Sequence, residues 1–90
     1  GADLRQAVLS EADLAQSHLA GANLRQADLS LSNLTGANLE AARLSRANLS
    51  GANLTQARLR QAGLDQATLL FADLEGADLR QANIQGAQLY

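Results

Sequence analysis

Every fifth residue of this chain is large and apolar. From Leu4 to Leu89 the position is Leu in every unit but one, where Ile84 stands. Two residues before this centre stands Ala in 16 of 18 units, with Ser17 and Ser32 as the exceptions. Between the two stands Asp or Asn in most units, as in Asp3, Asn23, Asn53 and Asp78, and the two residues after the centre vary. A helix advances about 100° per residue, so a step of five would send successive leucines to every side. Such a helix needs burial all round, and nothing in the chain could cover it. Ala, Leu, Gln and Arg favour helix locally, but the period overrules that preference. In an extended segment, residues two apart point the same way. Ala and the centre therefore point inward, and the residue between them points out. The next inward Ala comes three residues after the centre, so the chain must turn there. The pattern predicts a very short strand plus a corner, repeated with the same sense. Six of seven glycines, including Gly21, Gly51 and Gly86, occupy the position two after a centre, Gly1 by register alone because no centre precedes it. A type II turn needs positive φ at that position, which Gly adopts most easily. Proline is absent, consistent with backbone N–H groups that serve a ladder.

Tandem Ala-(Asp/Asn)-Leu-X-X units resemble the pentapeptide-repeat proteins, and the resemblance covers all 18 units of residues 1–90, read as a single domain. It implies an all-β fold, a right-handed quadrilateral parallel β-helix. Four units would make a square coil of twenty residues, and the chain would make about 4.5 coils. The number four comes from the family; a period of five alone does not supply it. With about 4.8 Å per layer, the expected body is a rod about 20 Å long. The interior would hold the leucines and Ile84, with Ala, Ser17 and Ser32 in the tighter inward slot.

Under a twenty-residue coil each face can be read. The first is polar and mildly basic. Arg25, Arg43 and Arg46 are a solvated surface or, alternatively, a phosphate contact. The second face gathers Val8, Leu31, Leu70, Phe71 and Tyr90, the large apolar residues that fall outside the inward slots. Clustered exposed apolar residues mark contact sites, so this is the candidate interaction patch; covering residues outside the sequence, or simple tolerance, are the alternatives. The third face carries Thr35 and Thr55, too few for an ice-binding array. On the fourth, Glu40–Arg60 and Arg58–Asp78 are expected as axial ion pairs, and His18 is a lone surface histidine.

Composition narrows the function classes. Ninety residues bury little core as a globule, but a stacked repeat needs each unit only to cover its neighbours. There is no cysteine and one histidine, and nine acids against seven arginines give a net charge of −2. No metal site, cofactor site or catalytic constellation is expected, and no phosphate loop precedes a helix. The mixed charge and two aromatics do not suit nucleic-acid binding. No segment reads as a membrane span or signal peptide, and a soluble, cytoplasmic protein is expected. The chain starts in register without Met, so a fragment, a processed product or an engineered chain is expected. A non-enzymatic scaffold or protein-interaction module follows, with an unidentified protein partner or a homodimer through the apolar face or the C-terminal end. Nothing resembles a cap, so the end at Ile84, Leu89 and Tyr90 is expected to dock end-to-end or be covered. The resemblance also implies an alternative: some family members, of the quinolone-resistance type, imitate DNA and modulate DNA gyrase. That imitation needs a dense acidic surface.

Overall fold

Parallel bridges join residues twenty apart along the whole chain. Asp3 pairs with Asn23, Asn23 with Arg43, Arg43 with Gly63 and Gly63 with Asn83, and the same holds for the series that start at Val8, Asp13 and His18. The computed structural model, which describes residues 1–89, is thus a solenoid in which four five-residue units complete one rung. The longest paired segments are β1 (Thr68–Leu69) and β2 (Gln88–Leu89), aligned in parallel with Thr68 on Gln88 and Leu69 on Leu89. Elsewhere the strand is reduced to the single outward residue of each unit. Among the described residues there is no helix, so the favourable helix propensities are overridden by the burial pattern. The body measures 25 × 21 × 18 Å, a block and not a rod.

The backbone hydrogen bonds can be followed through one unit, Ala22 to Gln26. Ala22 N–H donates to Leu19 O at 3.0 Å and closes the preceding turn. Asn23 N–H donates to Ala2 O on the rung before. Leu24 and Gln26 N–H donate to Arg43 O and Ser45 O on the rung after, at 2.7 and 3.0 Å. The fifth donor, Arg25 N–H, has no backbone acceptor in this scheme. It reaches the Asn23 side chain, Oδ1, at 3.3 Å. Buried or half-buried N–H groups need such partners, and this one explains a sequence preference. All eleven Asp and Asn residues in the outward slot accept from the backbone N–H two residues on. Asx side chains have the length to close that ring.

The corners are turns closed from the residue after the corner to the centre, as in Ala27 N–H to Leu24 O at 3.0 Å. The second corner residue has positive φ throughout, at five glycines and at twelve other residues, from Ala41 at 57° to Gly86 at 74°. This is the conformation expected for the glycines, and it extends to positions where an L side chain occupies it at a cost of about 1 kcal/mol. Seven of the twelve are glutamine, among them Gln26, Gln56 and Gln66.

Inside, Leu24 to Leu64 are fully buried at every centre, and Leu69 is 2% exposed. Ala fills the other inward slot because two inward residues per unit share a narrow interior. Ser32 stands there too, and its hydroxyl donates to Leu29 O at 2.7 Å. Ser17 Oγ is buried with no partner among the described residues. Burial falls away at both ends. Leu4, Leu9, Leu14 and Leu19 are half-buried, and Ile84 and Leu89 are 48% and 43% exposed.

Candidate functional site

Three positions per unit face outward: the slot before the centre and the two corner residues. Stacked at twenty-residue spacing they form columns about 4.8 Å per step. Leu31 and Phe71 belong to one corner column, Glu11–Leu31–Gly51–Phe71. Phe71 is 80% exposed and Leu31 62%. Both occupy the left-handed corner conformation, at φ 62° and 59°. Neither burial nor backbone preference therefore accounts for a large apolar side chain at these positions. Gly51 lies between them, and the Leu31 side chain leans over it: a Cβ on Gly51 would stand 2.7 Å from Leu31 Cδ2.

The other patch residues are less closely grouped. Leu70 is half-buried. Val8 is 79% exposed but stands in the column Val8–Asp28–Asn48–Thr68–Gln88, three rungs, or about 14 Å, from the level of Phe71. Tyr90 lies outside the described residues. The compact part of the patch is thus Leu31, Gly51 and Phe71, with Leu70 beside it.

The charged faces pair differently from the axial scheme expected of them. Arg58 bonds Glu40, and Asp78 pairs with Arg80 within its own unit, Nη2 to Oδ2 at 2.7 Å. Asp3 and Arg5 repeat that arrangement at 2.9 Å. For the two pairs within a unit the reason is local: the slot and the first corner residue project to the same side, because the centre between them points in. An acid and a base two apart are therefore already side by side. Hydrogen bonds from the Arg80 side chain and then from its backbone hold the Asp78 carboxyl down at about 2. Arg5 lowers Asp3 in the same way, and the Ser30 hydroxyl and N–H lower Asp28. On the third face Thr35 and Thr55 both donate to the Asn of their own unit. His18 is exposed. Among the described residues no group of three or more His, Asp or Glu could hold a metal ion.

From the sequence alone the Asp/Asn slot reads as outward and polar, without its bond to the backbone. The signal that it locks the turn was its selectivity: Gln and Ser are common elsewhere in the chain, yet Gln88 is their sole occurrence in the slot.

The family model for pentapeptide repeats matches residues 1–36, 32–69 and 62–90 in eight copies. Among solved structures, a pentapeptide repeat protein from the Arabidopsis thaliana thylakoid lumen superposes with a TM-score of 0.91 at 31% identity. The match covers 94% of this chain and 59% of that one, so this chain spans less than two thirds of that relative. A pentapeptide repeat protein from Nostoc PCC 7120 superposes with a TM-score of 0.85 at 39% identity, covering 98% of this chain and 84% of that one. These likenesses make the solenoid a right-handed β-helix. A plasmid-mediated fluoroquinolone resistance protein is also similar, at 22% identity and a TM-score of 0.48, over 89% of this chain and 46% of that one. No curated protein sequence matches.

Proposed function

The chain belongs to the pentapeptide-repeat family, and from that membership we propose that it is a non-enzymatic scaffold or protein-interaction module. Its body in this reading is a quadrilateral β-helix of about 4.5 coils, a reading that the twenty-residue spacing of the bridges in a ninety-residue chain supports. Its working surface is the face that carries Leu31, Gly51, Leu70 and Phe71. One observation supports this above the others. Leu31 and Phe71 are exposed apolar side chains at positive-φ corners, a position filled mostly by Gln or Gly elsewhere in the chain. Residues that serve neither the core nor the turn are the natural candidates for contact. A cytoplasmic location belongs to the same reading, although the lumenal Arabidopsis relative illustrates that the fold does not dictate a compartment.

The test is light scattering over a concentration series for the chain and for the double variant Leu31→Gln, Phe71→Gln. Glutamine is the commonest residue at such corners, so the variant retains the fold. One face of a 25 × 21 Å block buries less than the roughly 1,200 Å² of a stable interface, so self-association through it is weak. The expected result is reversible, concentration-dependent assembly in the parent that the variant loses. If the parent is monomeric throughout, affinity capture with the variant as control follows, and identical capture by both would remove this face from the reading. Persistent assembly in the variant would instead assign self-association to the C-terminal end. The DNA-gyrase alternative is not favoured: a net charge of −2 with seven arginines is a poor substitute for phosphates. Inhibition in a supercoiling assay would restore it.

A further inference from the structure

On the first face, the column Arg5–Arg25–Ser45–Asp65 runs beside Gln6–Gln26–Arg46–Gln66, and a shallow groove lies between them. Three arginines line it: Arg5, Arg25 and Arg46. Arg5 is neutralised, since its Nε and Nη2 donate to the two oxygens of Asp3 at 2.9 Å each. One rung up, the same local arrangement recurs with the negative charge removed. Arg25 Nε donates to Asn23 Oδ1 at 3.1 Å, in a partly buried setting. Asp3 is close enough for Arg25 to lower its pKa, but it is engaged by Arg5 and forms no ion pair with Arg25. Arg46 Nε donates to another amide, Gln66 Oε1, at 2.8 Å. Asp65 closes one end of the groove, where its Oδ1 accepts from Ser45 Oγ at 2.7 Å. It pairs with none of the described arginines. Arg43, in the adjoining column, adds a fourth cation to the face. Four arginines thus stand against two aspartates on one face of a chain whose net charge is −2.

A half-buried guanidinium bonded only to a neutral amide is an electrostatically incomplete arrangement. Arg25 is such a group, and the exposed Arg46, likewise bonded to a neutral amide, shares its groove from the next rung; together they match the planar, bidentate recognition of an oxyanion. We propose that this groove binds a phosphate-class oxyanion between Arg25 and Arg46, with the Gln26 amide and the Ser45 hydroxyl as further donors. Ser45 turns its proton from Asp65 to the ligand. The site is independent of the apolar column on the second face.

The test is a titration of the 90-residue chain with inorganic phosphate and, separately, with phenyl phosphate at constant ionic strength, followed by backbone amide NMR shifts. Saturable shifts confined to Arg25, Gln26, Ser45 and Arg46 are expected. Binding of the ester as tightly as the free ion would identify a phosphoryl group on a larger molecule as an acceptable source; binding of the inorganic ion alone would restrict the site to free phosphate. Arg25→Gln and Arg46→Gln should each weaken binding about tenfold or more, and Arg60→Gln on the fourth face should leave it unchanged. Asn23→Asp is the sharper variant. It recreates at Arg25 the ion pair that Asp3 and Arg5 already form, so the fold tolerates it, and it should abolish phosphate binding by supplying the carboxylate internally. Shifts that do not saturate with either anion, equal weakening by Arg60→Gln, or full binding in Asn23→Asp would each overturn the proposal.

Discussion

At the scale of the residue, the task of the Asp/Asn slot is measurable. Each Asx side chain satisfies the one N–H per unit that the ladder leaves over. Asn53→Ala removes the bond from Thr55 N–H and should lower stability by about 0.5–1 kcal/mol in urea unfolding. Gly63 is the converse case. It sits in the slot without positive φ, and a Cβ there would meet only Asp65 Oδ1, at 3.6 Å. Gly63→Asn should add the missing turn bond and reduce the freedom of the unfolded chain, raising stability by about 1 kcal/mol. The Asp78 carboxyl offers a pH-dependent reading of the same geometry. Its folded pKa, about 2, lies below its ordinary value of 3.8. Its contribution to stability is therefore complete above pH about 4 and is lost as the pH falls through 2. Carboxyl NMR titration should find the low pKa in the parent chain, and Arg80→Gln should move it back up.

At the scale of the element, the unit is a corner more than a strand. Gly21 isolates its backbone requirement. It has φ 68°, and a Cβ there would meet nothing within 4 Å. Gly21→Ala should still cost about 1 kcal/mol, and a comparable loss in thermal or urea unfolding would assign it to the turn conformation alone. The sequence made the corner legible through the glycines two after a centre. It did not show that Leu31 and Phe71 adopt the same conformation, because side-chain identity at an exposed corner says little about φ. Nor did it show the Asp78–Arg80 pairing, which depends on the inward centre placing its two neighbours on one side.

At the scale of the whole molecule, stability is graded along the axis, because each rung is covered by the ones beside it. Leu44 is fully buried, while Leu89 is 43% exposed. Leu44→Ala should cost about 2–5 kcal/mol and Leu89→Ala less than half as much in the same unfolding experiment. Equal losses would contradict the graded packing. The candidate contact surface is likewise a property of the assembled rungs: Leu31 and Phe71 are forty residues apart in sequence and two rungs apart in space. The period of five, by itself, determined that the chain is an extended, repeatedly turning solenoid with leucine inside, since inward direction and turn geometry are set by residues two and three apart. What the tertiary structure decided was the twenty-residue register, the loss of burial at the ends and the partners of the charged side chains. Return to register after twenty residues is a condition on residues far apart in sequence, met only when ladder bonds and interior packing are satisfied together, and a five-residue unit carries no record of it.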